Sequence, residues 1–171
     1  LEGLLVTLEI TLFAILFGSI LGTALFFLIQ HSKVSEKILK VIDYIINGMP
    51  VVVLLMIVYY IVFSKVKIAG VIIAIGVYSL LFASSFVKSI SVSVNGVNRN
   101  QLESALALGY RKNTALVRFV IPQALPNFFK LFKSDITSLL KSTAIVGYVA
   151  IQDLTRMSDI IRSRTYEAFF P

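Results

Sequence analysis

The stretch from Asn100 to Asn127, NQLESALALGYRKNTALVRFVIPQALPN, is the most water-compatible part of a very apolar chain. Leu102, Ala105, Leu106 and Gly109 fall at i, i+3, i+4 and i+7, the spacing that gathers residues on one face of a short helix. Asn100 is placed to cap its start, with Glu103 three residues on, where a capping box puts its acid. Gly109 offers a C-terminal stop. Arg111 and Lys112 follow, where cations suit the negative end of a helix. Pro122 and Pro126 are expected to break the next segment before the chain re-enters an apolar run. Periodicity alone gives an amphipathic loop helix that joins two membrane spans.

The composition sets the class. Of 171 residues, 57% are hydrophobic and 15% charged, more apolar side chain than one soluble domain can cover. An integral, all-α membrane protein is the class that remains. The lack of cysteine excludes a disulfide framework and a thiolate metal site, and the single histidine, His31, excludes a multi-histidine centre within the chain. A net charge of +7 in a membrane protein reflects cytoplasmic loops and anionic headgroups, so the lipid bilayer, not nucleic acid, is the expected partner. The chain runs from Leu1 to Pro171, where it turns towards another apolar run, so both ends are expected to be cut.

Four spans are expected within the chain. Residues 4–29 are apolar apart from Thr7, Glu9, Thr11, Ser19 and Thr23, and are long enough to cross a hydrocarbon core of roughly 30 Å. Gly18 and Gly22 either let another helix approach closely or are ordinary span glycines. Glu9 either has an intramembrane partner or reaches headgroups. A polar segment, 31–40, precedes a half-apolar helix carrying Asp43. Asn47-Gly48-Met49-Pro50 then interrupts the run, a break tolerated where protein or water satisfies the freed carbonyls. Residues 68–91 form the third span, and 88–118 a long inner loop. The inner segments 31–40 and 88–118 hold eight Lys/Arg and the outer segments 64–67 and 151–170 five, which supports an outside N-terminus.

Residues 128–150, the fourth span, are the least apolar. Asp135, Ser138 and Ser142 fall at i, i+3 and i+7 on one polar face, with Lys141 about 100° from Ser142. Either this face lines a cavity, or Asp135 pairs with Lys141 or Lys133 and only holds the bundle together.

Glu103-Ser104-Ala105, three residues, Gly109, nine residues, then Phe119-Val120-Ile121-Pro122 resembles the EAA motif of ATP-binding-cassette importer permeases. In that family the pattern is Glu-Ala-Ala, three residues, Gly, nine residues, Ile, any residue, Leu-Pro. Ser104, Phe119 and Ile121 depart from it, while the spacing is kept. Asn47-Gly48-Met49-Pro50, Lys141-Ser142-Thr143, Asp153–Arg156 and Arg164–Glu167 are similar to steps of the polar-amino-acid branch. The resemblance implies a type I importer transmembrane domain of about five spans, four of them within 1–171, with a coupling-helix loop inside 99–118. It also implies a multi-pass protein of a bacterial cell membrane that carries a polar amino acid by alternating access. Glu103, Ser104, Ala105, Leu106, Gly109 and Arg111 would meet a separate ATPase, which binds ATP and Mg. Asp135, Ser138, Lys141, Ser142 and Thr143 would lie along the substrate pathway, and Gly48, Pro50 and Pro122 would mark structural breaks. A second permease chain, identical or related, and an external amino-acid-binding protein complete the expected assembly. The chain itself would have no catalytic site and no cofactor. Rival readings are a type I permease for methionine, phosphate or sulfonate, an ion-coupled carrier, and a membrane scaffold. The carrier should show paired intramembrane acids or an inverted repeat, and neither is found in the sequence.

Overall fold

The computed structural model describes residues 2–166 apart from Ser32, Lys67 and Ala150. The expected fifth span and Glu167 lie outside the described residues, which contain helices and no strand. Helix α1 spans Glu2–His31 and helix α4 spans Gly70–Asn95. Both are long and apolar enough to cross a bilayer. Between them lie α2, Lys33–Gly48, and α3, Val51–Ile57, which runs on into a π-helical turn at Val58–Val62. The expected break at Gly48 and Pro50 is a corner: Lys40–Gly48 and Val51–Val62 meet at 101°, so they count as one span only if the corner lies within it. Pro50 is extended, with φ −55° and ψ 137°, and caps α3 through its carbonyl, which accepts from Leu54 N at 3.1 Å.

The core sits where α1 crosses α4. Ile10, Ala14, Gly18 and Gly22 turn to α4 at helical spacing. A Cβ added at Gly18 would lie 2.8 Å from the Ser79 carbonyl oxygen, and one at Gly22 would lie 3.0 Å from that of Ala83. Close helix approach is therefore what these glycines serve. Glu9 lies on the opposite, exposed face of α1.

Two expectations about the inner loop are corrected. Helix α4 continues to Asn95, past the expected end of the third span at residue 91, so the loop begins after it and not at Lys88. Pro122 does not break the chain. Helix α6, Lys112–Ala115, passes through a π-helical turn at Leu116–Val120 directly into α7, Ile121–Ser142, with Pro122 in the first turn of α7 and Pro126 inside it. A proline removes one N–H from the ladder, and the widened turn absorbs the misfit. The Gln123 side chain donates to the Phe119 carbonyl at 2.9 Å, which satisfies a group in that turn.

Helix α7 ends at Ser142 and tightens into a 3-10 helix over Thr143–Val149. Helix α8, Leu154–Thr165, then lies at the N-terminal end of α1. Asp153, 1% exposed, caps α8 by accepting from Arg156 N at 2.9 Å and Thr155 N at 3.3 Å. Leu154 N donates to Thr7 Oγ1 at 3.1 Å, which ties that cap to α1. One end of the molecule thus gathers the starts of α1 and α4 with α8. The other gathers α6 with α5, Arg99–Ala107.

Candidate coupling helix and membrane polar face

Helix α5 is nine residues long, too short to hold itself together in water. Both its ends are capped. The N-cap is Asn98, not Asn100: Asn98 Oδ1 accepts from Asn100 N at 3.0 Å. Asn98 is extended, with ψ 125°, and Arg99 already begins the helix. This shift leaves Glu103 outside the capping-box position and exposed. At the other end Gly109 takes φ +85°, a left-handed conformation that suits glycine. Gly109 N donates to Leu106 O at 2.9 Å and Tyr110 N to Ala105 O at 3.1 Å, the paired bonds of a Schellman stop. The Tyr110 ring packs edge-on against Phe119 at 5.3 Å, which fixes the loop on the π-helical turn.

The expected apolar face of α5 divides. Ala105 is 3% exposed and turned into its own loop, while Leu106 and Leu108 are exposed, Leu108 at 77%. Glu103, Ser104 and Arg111 are exposed around that apolar tip.

The fourth expected span is not among the apolar helices, because Lys130, Lys133, Asp135 and Lys141 dilute it. Ser134, Thr137, Ser138 and Lys141 form an exposed polar strip along α7, while Phe128, Phe132 and Leu139 pack inward. Asp135 lies between the two faces. Its Oδ2 accepts from Ser89 Oγ on α4 at 2.6 Å, so its described partner is a serine and not Lys133 or Lys141. Ser142 Oγ donates to Leu139 O at 2.7 Å. Thr143 is buried, and its Oγ1 donates to Leu140 O at 2.7 Å. The site residues on α7 therefore divide into an exposed pair, Ser138 and Lys141, and a half-buried pair, Asp135 and Ser142, with the buried Thr143 opening the 3-10 helix beyond.

A second polar cluster stands on the α2 side of α4. Lys88 Nζ lies 2.9 Å from Asp43 Oδ2, and Ser84 Oγ donates to Asp43 Oδ1. Asn47 Nδ2 donates to Asp43 Oδ1 and to Ser84 Oγ, both at 2.8 Å. Sequence reading missed it because Lys88 was counted among the cations of the inner loop although it also fell within the expected third span, 68–91. The signal that could have found it is the i, i+4 pair Ser84 and Lys88 facing the i, i+4 pair Asp43 and Asn47.

A helical membrane domain with a polar strip along one helix and a capped, protruding loop helix at one end has the layout of a transport permease. Residues 14–169 match the binding-protein-dependent transport system inner membrane components, and the chain belongs to that family. The putative glutamine transport system permease protein GlnP of Rickettsia prowazekii (strain Madrid E) is 30% identical over 173 residues, covering 99% of this chain and 79% of that protein. The arginine ABC transporter permease protein ArtQ of Haemophilus influenzae is 25% identical over 96% of this chain and 78% of that protein. The crystal structure of an amino acid ABC transporter with histidines superposes with a TM-score of 0.88 at 27% identity, covering 98% of this chain and 79% of that one.

Proposed function

We propose that this chain is the permease subunit of an ATP-driven importer of a polar amino acid in a bacterial cell membrane. The observation that carries the reading is α5: a helix too short to stand alone, capped by Asn98 and Gly109, with an apolar tip exposed at the end of the molecule. A groove on a separate ATPase, which would bind ATP and Mg, would cover Leu106 and Leu108. Glu103, Ser104 and Arg111 would make the polar rim of that contact. Ala105, turned inward, would hold α5 on its own loop and would not fill the groove. Closure of two ATPases would draw two such helices together, one from each permease chain, and rock the spans about a central site. An external binding protein would deliver the substrate.

The exposed strip on α7 cannot face lipid cheaply, so it would line the pathway between two permease chains. Ser138 and Lys141 would stand on its open side, with Asp135 and Ser142 at its edge. Asp135 would take an α-ammonium group or a cationic side chain. The relatives are named for glutamine and arginine. Ser142, where the branch has an amide or acid, favours a neutral polar substrate.

The test is ATP hydrolysis by the reconstituted permease–ATPase complex with binding protein and amino acids supplied. Stimulation by substrate should be lost in Glu103→Lys and in Gly109→Trp. Hydrolysis indifferent to both changes would remove the coupling role of α5 and bring the ion-coupled carrier forward.

A further inference from the structure

The end of α7 is a helix terminus inside the molecule, and hydroxyls bond three of its last four carbonyls, those of Leu139, Leu140 and Ser142. The last carbonyls of a helix run short of α-helical partners and are met by side chains or by the tighter bonds of a 3-10 turn. Leu139 O accepts from Thr143 N and from Ser142 Oγ, the latter at 2.7 Å. Leu140 O accepts from Thr143 Oγ1 at 2.7 Å. Ser142 O accepts from the hydroxyl of Tyr78 at 2.7 Å. The first donors are local and travel with the helix. Tyr78 comes from α4, 64 residues away, and is wholly buried.

We propose that Tyr78 is a positioning residue of the transport pathway: its bond to the Ser142 carbonyl fixes where α7 changes from α to 3-10 geometry. The inference rests on the importer reading above. Local caps establish that the helix ends, and the bond to α4 establishes where. The place matters because a residue in an α-helix advances about 100° and one in a 3-10 helix about 120°. A slip of the junction by two residues would turn everything beyond it by about 40°. Thr143, Val146 and Val149, spaced by three, are all buried, as a 3-10 face requires. Such a turn would bring that face out of the core and swing Lys141 and Ser142 at the junction relative to Asp135. The same bonds constrain Ser142. Its one hydroxyl proton is spent on Leu139 O, so towards a substrate Ser142 acts as an acceptor.

Tyr78→Phe keeps the ring and removes only the donor. Two readouts are taken on the full-length permease with its ATPase and binding protein in liposomes. The first is labelled glutamine or arginine taken up per ATP hydrolysed, a ratio that a loss of folded complex leaves unchanged. It should fall threefold or more in Tyr78→Phe. The second uses the absence of cysteine from the chain. Val146→Cys, at a position with 0% exposure, should resist a hydrophilic thiol reagent when Tyr78 is intact and react at least threefold faster in Tyr78→Phe. An unchanged ratio with unchanged labelling would overturn the proposal, as would a lower melting temperature with neither readout altered. If the unmodified assembly takes up no polar amino acid, the importer reading fails. The labelling comparison still decides whether Tyr78 holds the junction.

Discussion

Helix α4 is met from two sides by different means. On the α1 side the contact is made by absence: Gly18 and Gly22 bring two backbones together, with Ala14 and Ile10 filling the remaining space. On the α7 side it is made by directed groups. Phe82 and Phe86 stack edge-on with Phe132 and Phe128 at 5.9 and 5.6 Å, Ser89 holds Asp135, and Tyr78 holds the Ser142 carbonyl. Backbone-close packing tolerates no displacement, because there is no side chain left to rearrange. Hydrogen bonds and ring edges can be exchanged one at a time. The α1–α4 seam thus has the character of a frame, and α7 with its 3-10 extension that of the part set against it.

The seam should break most severely. A side chain at Gly18 meets the Ser79 carbonyl oxygen at 2.8 Å and Phe82 Cβ at 2.9 Å, while at Gly76 it would meet nothing within 4 Å. Gly18→Leu should cost about 3 kcal/mol, at the upper end for overpacking, and Gly76→Leu almost nothing, as read by thermal unfolding in detergent. Equal melting temperatures would deny the seam its role as a frame. Next comes Asp135→Asn, which keeps the shape beside Ser89 and removes the charge. Uptake should fall about tenfold, the equivalent of one charge-assisted hydrogen bond, with little change in melting temperature. The reverse pattern would make Asp135 a packing residue only.

A smaller effect should sharpen the picture of the third contact, between α2 and α4. Asp43→Lys sets two like charges together, and should cost about 1 kcal/mol, typical of polar contacts between membrane helices. Adding Lys88→Asp should recover more than half of it, and no recovery would mean that the pair is incidental. The smallest effect is expected at Asn98→Ala. The lost cap should weaken α5 by about 1 kcal/mol locally, lowering substrate-stimulated ATP hydrolysis while leaving the melting temperature of the membrane part unchanged.

The frame was far more legible in the sequence than the part set against it. An apolar run long enough to span announces α1 from local pattern alone, while the Gly18–Gly22 pair offered close helix approach as one of two readings, and the structure selects it. The Gly109 stop was equally local, since a left-handed position selects glycine. The cap was not: Asn98 and Asn100 are the same residue type, and the choice between them depends on where the chain turns extended after α4. Pro122 signals a break, but the break is averted by a π-helical turn and by the Gln123 side chain. The third span was expected to end at residue 91 and the inner loop to begin at Lys88, whereas α4 runs on through Ser89, Ser91 and Ser93 to Asn95. Each of these serines lies on a helix, and Ser84 and Ser89 find carboxylates on two other helices. Pairings across 41, 46 and 64 residues, Ser84–Asp43, Ser89–Asp135 and Tyr78–Ser142, have no local signature. They exist only once the helices are set side by side.

The central claim is that the exposed face of α7 meets water and substrate, while the exposed face of α1 meets lipid. Because the chain has no cysteine, single cysteines can be placed at Ser138 on α7 and at Leu16, 52% exposed, on α1. The measurement is their labelling by a membrane-impermeant thiol reagent in the assembled importer, with and without transported amino acid. Ser138→Cys should react and be protected by substrate, and Leu16→Cys should not react. A Ser138→Cys as inert as Leu16→Cys, or labelled equally with and without substrate, would contradict the account.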